Sequence, residues 1–293
     1  MKKISIYGNR HQEGYLPLLS RFFVCLVEKG FEVSVAECFA GYLVSNGVSL
    51  PETVKVGDAL PEETQCVVSV GGDGTFLRAA QWVGKREVPI LGINTGHLGF
   101  LASYSLEEMD ELAEVMWNVT ATFERRMVLA VSCSSMPEDF WPYALNEVAL
   151  LRGETASMVT VHAEVNGDFL ADYMADGLVV ATPTGSTAYN LSVGGPIMEP
   201  TLECAVLSPI APHSLTMRPL VINGDSKVTL RAASRVESSK VSLDGRYFNI
   251  PSDGTALEIC KADFAVVVAR RPNSKFARLL RNKLLWGSYA AGK

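Results

Sequence analysis

The run Val67-Val68-Ser69-Val70-Gly71-Gly72-Asp73-Gly74-Thr75-Phe76-Leu77-Arg78-Ala79-Ala80 passes from an apolar stretch through a glycine turn into helix-forming residues. A short β-branched run of this kind suits a strand buried on both faces. Three glycines let the backbone turn tightly and approach a ligand closely. Apolar residues from Phe76 to Val83 then follow helical spacing. Strand, glycine turn and helix in direct succession are the building block of a parallel sheet covered on both faces. Working outward, Lys3–Tyr7 and Phe31–Ala36 read as strands around a helix at Leu16–Val27 that Gly30 stops. On the far side, Val88–Ile93 reads as a strand and Leu106–Trp117 as a helix. Periodicity is weak from Cys38 to Glu63, which reads as an exposed excursion.

The character changes near Thr120, where short β-rich runs take over. Val128–Ser132, Glu147–Leu151, Val159–Val165, Leu178–Ala181, Val228–Leu230, Val241–Leu243 and Phe264–Ala269 are the candidate strands. Turn signals such as Asn166-Gly167-Asp168, Asn223-Gly224-Asp225 and Ser252-Asp253-Gly254 separate them. The expected organisation is an α/β domain with a parallel sheet over 1–119 and a mostly β domain over 120–270. A helical tail over 271–293 is expected to pack back on the first domain.

Hydrophobic residues make up 48% of the 293 and charged residues 20%, enough for a sizeable core and against general disorder. The formal net charge of -6 does not advertise a nucleic-acid or anionic-membrane surface. A phosphate-bearing ligand must therefore be held by local features: backbone N–H groups, helix ends, a metal ion or a few placed cations. The six cysteines lack the spacing of a zinc or redox motif, and the four histidines are dispersed. The opening Met1-Lys2-Lys3-Ile4-Ser5-Ile6 fits a first strand better than a signal peptide, and no stretch is long and apolar enough for a membrane helix. A cytoplasmic protein is expected.

Within the glycine turn, Asp73 is the informative residue. It can accept a hydrogen bond from a substrate hydroxyl or meet a phosphate-bridged metal. It can equally be a helix N-cap, although a cap needs no flanking glycines. The turn is neither a Walker A loop nor Gly-x-Gly-x-x-Gly. Amides of Gly72 and Gly74 suit donor phosphates. A second glycine-rich loop, Gly92-Ile93-Asn94-Thr95-Gly96-His97-Leu98-Gly99-Phe100-Leu101, follows a strand; Leu98 and Phe100 can pack on a flat base or simply anchor the core. Asn146-Glu147 enters an apolar strand, where two adjacent polar groups reach one ligand best at the strand end. That pair suits ribose hydroxyls and an adenine edge, or a strand-capping turn. The stretch from Asp176 to Ile197, dense in Thr, Ser and Gly, reads as an anion- or sugar-binding loop.

Gly71-Gly72-Asp73-Gly74-Thr75 resembles the signature shared by NAD kinases, diacylglycerol and sphingosine kinases and, more loosely, 6-phosphofructokinases. Together with Asn146-Glu147, the Asp176–Ile197 string, Ser208–Leu220 and Asn282–Gly287, the likeness is to the NAD kinase family in particular, from Val67 to Gly287. That family phosphorylates the 2′-hydroxyl of the adenosine ribose of NAD. The resemblance implies that Thr187, Ala188, Tyr189 and Ser192 contact the dinucleotide. It implies that Asp176 reaches the nicotinamide end from a neighbouring subunit. It sets Asp244 near the site, although Asp244-Gly245 also reads as a hairpin turn. Many members carry an arginine where this chain has Met174, a neighbourhood tied to the choice between ATP and polyphosphate as donor. Mg²⁺ with the donor, and a homodimer or homotetramer, are also implied.

Asp73 is then expected to take the proton of the attacking hydroxyl late in a loose transition state. Two other readings stay open. One is a lipid kinase of the same clan, using the basic tail helix with Lys275, Arg278, Arg281 and Lys283, which a solvated helix face explains better. The other is a non-catalytic NAD(H) sensor.

Overall fold

The computed structural model describes residues 1–96, 99–153 and 158–286. Two compact units divide the chain: Met1–Arg125 with Val266–Lys293, and Arg126–Ala265.

The first unit holds strands β1 (Lys3–Gly8), β2 (Glu32–Ala36), β3 (Lys55–Gly57), β4 (Cys66–Val70), β5 (Ile90–Asn94) and β6 (Tyr104–Ser105), with helices α1 (Leu16–Glu28), α2 (Glu37–Ser45), α3 (Asp73–Val83) and α4 (Met109–Asn118). The strands run β3-β2-β1-β4-β5, all parallel. β4 and β5 are buried at every residue, so their sequences show no alternation. The chain first winds outward from β1 to β3, then returns to the other side of β1 as β4. The carboxyl ends of β1 and β4 therefore flank a topological switch point, where open α/β sheets bind ligands.

α1 forms because Pro17 sits in its first turn, where a missing N–H is harmless. It buries Leu19, Phe22, Phe23 and Leu26 on the sheet. Gly30, at φ 87°, ends it in a left-handed conformation. The stretch 38–63 is not a bare excursion: α2 and β3 lie within or across it. α2 buries Phe39, Ala40 and Leu43, and the Phe39 ring lies over Gly8 at the end of β1. Its nine residues with Gly41 in the middle give too short and weak a periodic signal to stand out.

The second unit is antiparallel. It contains β8 (Tyr143–Ala144), β9 (Glu147–Leu151), β10 (Val159–Val165), β11 (Asp168–Ala175), β12 (Gly177–Ala181), the one-turn α5 (Tyr189–Ser192), β13 (Cys204–Ile210), β14 (Leu220–Asn223) and β15 (Val228–Leu243). Two strands cross the division: β7 (Thr122–Ser132) and β16 (Arg246–Arg270), whose last residues pair with β5 in the first unit. The order is β14-β13-β12-β9-β15-β16, with β10 on β15 and β11 on β10. β15 and β16 meet at Asp244-Gly245, with φ 48° and 81°, the left-handed pair of a tight hairpin. Irregular register between Arg231 and Ser238 breaks the alternation inside β15. That is why only its two ends read as strands in the sequence. α6 (Phe276–Leu284) lies in the first unit, as its expected packing requires.

Phe39→Ala is expected to cost about 3–5 kcal/mol of stability in urea unfolding. A loss under about 0.5 kcal/mol, the scale of a surface change, would show that α2 is not part of the core.

Candidate active site

In the first unit the glycine turn leaves the carboxyl end of β4. Gly71 takes φ 149°, and its N–H donates to the Ile93 carbonyl at 2.9 Å. Gly72 is the N-cap of α3, so the capping role falls to a glycine and not to Asp73. The Asp73 carboxylate instead accepts the N–H of Phe100 at 2.8 Å and of Leu101 at 3.0 Å. Gly99 is required there, because a Cβ would fall onto that carboxylate. Phe100 is held from its other side by Arg270, which donates to its carbonyl at 2.9 Å and pairs with Glu124 at 3.3 Å. Asp73 is thus half-buried and fixed, with exposed Gly72 and Gly74 beside it.

α6 brings Lys283 to the same place. Its ammonium lies 5.7 Å from the Phe100 ring centroid. Burial pulls Lys283 below the ordinary lysine value, and the nearby Asp73 carboxylate pulls it partly back. The sequence suggested a solvated face for this lysine; the structure gives it an aromatic neighbour and a carboxylate. Leu98 and His97 lie outside the described residues.

In the second unit the Asn-Glu pair is set by Asp244. Its carboxylate accepts the N–H of Leu145 at 2.7 Å, Asn146 at 2.8 Å and Glu147 at 3.1 Å. Asp244 therefore serves both as hairpin residue and as the peg of the 145–147 turn. Burial raises its pKa, while these three amides and Arg246 oppose the rise. Beside it, burial and then the Asp244 charge push the Glu147 carboxyl up to about 8, against a hydrogen bond from the Tyr189 backbone. Three amides aimed at Asp244 favour its charged form, so the proton of the pair rests on Glu147. One oxygen of Glu147, Oε2, is buried without a hydrogen-bond partner.

The small-residue loop packs on this turn. Thr182 donates from Oγ1 to the Leu145 carbonyl at 2.5 Å and accepts from the Gly185 N–H at 3.1 Å. Fully buried Asn190 donates to the carbonyls of Ser186 and Pro196 at 3.2 and 3.0 Å and accepts from Ser208 at 2.7 Å. With Asn190 turned inward, Tyr189 and Ser192 are left exposed, and Thr187 and Ala188 half-exposed. Burial chiefly, then Asp176 and Glu147, raises the Tyr189 pKa, which sets its phenol among those two acids. Asp176 pairs with Arg152 at 3.0 Å, and Met174 is exposed on β11. Arg152 supplies, from the end of β9, a cation that the local sequence around Met174 lacks. Arg126, only 1% exposed, donates to Thr184 at 3.2 Å beneath the loop. Neither arginine carries a local sequence signal: Arg152 meets Asp176 through the pairing of β9 with β12, and Arg126 meets Thr184 58 residues away along the chain.

Among the described residues no group of three His, Cys, Asp or Glu side chains is placed to hold a metal ion, and no helix is long and apolar enough to cross a membrane.

A family model described as the ATP-NAD kinase N-terminal domain matches residues 4–120, and one described as the ATP-NAD kinase C-terminal domain matches residues 145–271. The chain is 43% identical over 289 residues to an NAD kinase of Bacteroides fragilis, covering 98% of each. It is 43% identical over 291 residues to an NAD kinase of Porphyromonas gingivalis, covering 98% of this chain and 99% of that one. Among solved structures, an NAD kinase from Archaeoglobus fulgidus in complex with ATP superposes with a TM-score of 0.72 at 32% identity, covering 97% of this chain and 98% of that one. Yeast NADH kinase complexed with NADH superposes with a TM-score of 0.87 at 24% identity, covering 100% and 90%, and speaks to the fold alone.

A Glu147 carboxyl that is neutral when folded and ionised when unfolded binds an extra proton in the native state. Its stabilising effect is complete below the ordinary value of 4.5 and is lost as pH rises through about 8. Across that window, calorimetry is expected to show the melting temperature falling more steeply for the wild type than for Glu147→Gln, which carries no titrating group. Equal slopes would contradict the assignment.

Proposed function

The chain belongs to the NAD kinase family and is an NAD kinase, and on that premise we propose how its residues divide the work. The overall reaction moves a phosphoryl group from ATP to the 2′-hydroxyl of the adenosine ribose of NAD. Asp73 is the catalytic base. Its carboxylate is fixed by two amides, so its lone pairs point in a set direction without reorganisation when the hydroxyl arrives. As the new P–O bond forms, the hydroxyl turns acidic and its proton passes to Asp73, while the P–O bond to the leaving nucleotide breaks. A weak base suffices for a late proton transfer of this kind.

Asn146 and Glu147 hold the adenosine. The buried Oε2 of Glu147, which lacks a partner, supports that role, because a sugar hydroxyl or adenine amino group would satisfy it. Asp244 positions the pair and is not spent on the ligand. Thr187, Ala188, Tyr189 and Ser192 line the dinucleotide, with Tyr189 offering an aromatic face. Asp176 takes the nicotinamide end with Arg152 beside it, and exposed Met174 borders that end. A homodimer or homotetramer is part of this reading, because the family places that aspartate against a neighbouring subunit's substrate.

Amides of Gly72 and Gly74 at the start of α3 meet the donor phosphates, helped by the positive helix end. Phe100 borders the same turn, and its ring steadies Lys283. Lys283 is a cation for the group in flight. The described residues fit no protein cage for a metal, and Mg²⁺ chelated by the donor's own phosphates needs none. When bound it neutralises phosphate charge, and no step assigned to the protein's residues depends on it. Inorganic polyphosphate is an alternative donor in this reading.

The single observation that carries the assignment is the pair of amide hydrogen bonds locking Asp73. Asp73→Asn is expected to lower kcat by at least about a hundredfold, the usual scale for a lost general base. NAD affinity by direct titration is expected to stay within about threefold, a difference under 1 kcal/mol. NADP formation at near wild-type turnover would rule out the role.

A further inference from the structure

Taking a cation out of water is costly unless its donors are matched. Among the described residues Arg126 and Arg270 are buried, and no lysine is. Arg126 lies beneath the small-residue loop of the second unit. Arg270, 5% exposed, lies in the first unit. Its place follows from strand pairing. Val268 and Ala269 run parallel to Ile90 and Leu91 of β5, and Arg270 follows as the last residue of β16. It therefore ends up beside the loop that leaves β5. That loop folds back on its own strand: the Ser103 N–H donates to the Gly92 carbonyl at 3.0 Å. A Cβ on Gly92 would collide with the Ala102 backbone, so the close return needs the glycine.

The guanidinium divides its donors. Nη2 donates to the Phe100 carbonyl at 2.9 Å, and Nε donates to Glu124 at 3.3 Å. The Phe100 carbonyl shares one peptide unit with the Leu101 N–H, which donates to Oδ1 of Asp73 at 3.0 Å. That peptide is trans and planar, so its C=O and N–H point in opposite directions. A cation fixed on the carbonyl side therefore aims the N–H at the carboxylate. It also draws electron density toward the carbonyl oxygen, which makes the N–H a stronger donor. Glu124, Arg270, one peptide plane and Asp73 form a continuous chain of contacts within the first unit. Buried as it is, Arg270 presents almost no surface to a substrate.

We propose that Arg270 is a positioning residue for the transfer. Through the 100–101 peptide it fixes the direction of the Asp73 carboxylate, and so sets how well that carboxylate takes the proton of the attacking hydroxyl. The proposal rests on the assignment of Asp73 as the base. It separates Arg270 from an ordinary buried ion pair, whose loss would weaken the fold without singling out one side chain of the site.

The test is steady-state kinetics of the full chain with NAD and ATP, comparing Asp73→Asn, Arg270→Gln, Arg270→Lys and the Arg270 changes combined with Asp73→Asn. Arg270→Gln is expected to lower kcat by about ten- to a hundredfold, the scale of a slightly misdirected reacting group. KM for NAD and for ATP are expected to stay unchanged, as for a contact that matters only in the transition state. Arg270→Lys keeps the charge but not the forked donors, and is expected to lose less. Thermal melts report the fold of each variant, and Arg270→Lys carries the comparison if Arg270→Gln does not fold. Combined with Asp73→Asn, either Arg270 change is expected to cost little more, because groups that act as one unit are not additive. Unchanged kcat in folded Arg270 variants, an effect confined to KM, or losses that multiply in the double variants overturn the proposal. Severely slowed Asp73→Asn with multiplying losses would sink the proposal alone. Near wild-type turnover by Asp73→Asn would sink the base assignment and the proposal with it.

Discussion

In the first unit, one carboxylate ties two loops together. Asp73 leaves the end of β4, and the amides of Phe100 and Leu101 leave the end of β5. Hydrogen bonds to a charged group contribute about 1.5–3 kcal/mol each, so this pair is strong enough to fix both loops. The surrounding sequence serves the contact. Gly99 has no Cβ because that carboxylate fills the space, and Arg270 holds the far side of Phe100. Lys283 reaches the same loop from the last helix. A glycine turn alone would give a floppy anion site. The crosslink turns it into a site with a directed carboxylate, which is what a phosphoryl transfer that depends on positioning requires.

The second unit applies the same logic with Asp244. A buried acid accepts three successive amides and so fixes the direction of the Asn146-Glu147 pair. The arrangement leaves Glu147 next to a like charge in a dry place, and its carboxyl responds by holding its proton. Stability is sacrificed locally, since Oε2 of Glu147 is buried without a partner. Buried polar atoms without a partner are rare in native proteins, and the proposed adenosine contact would give this one its hydrogen bond.

Much of this was legible in the sequence because the signals are local. The strand, glycine turn and helix from Val67 to Val83 depend on neighbours in the chain, and so does the string from Asp176 to Ile197. The parallel sheet and the β-rich half followed from the same periodicities. The partners across the fold were hidden. Nothing near Asp73 points to Gly99, nothing near Asp176 points to Arg152, and Asn190 looks like one more polar residue in its loop. Asp73 reads as a cap by local rules, and only the third dimension shows its carboxylate turned away to another loop. α2 was missed for a different reason: nine residues around a glycine carry little pattern, and packing of Phe39 on the sheet holds the helix instead of propensity.

The central claim is that the carboxylate of residue 73 meets the reacting sugar oxygen. A crystal structure of the full chain with NAD bound tests it most directly. The account predicts the adenosine 2′-oxygen within hydrogen-bond reach of that carboxylate, about 2.6–3.2 Å. A well-ordered NAD whose 2′-oxygen lies beyond reach of Asp73, directly or through one water, would contradict it.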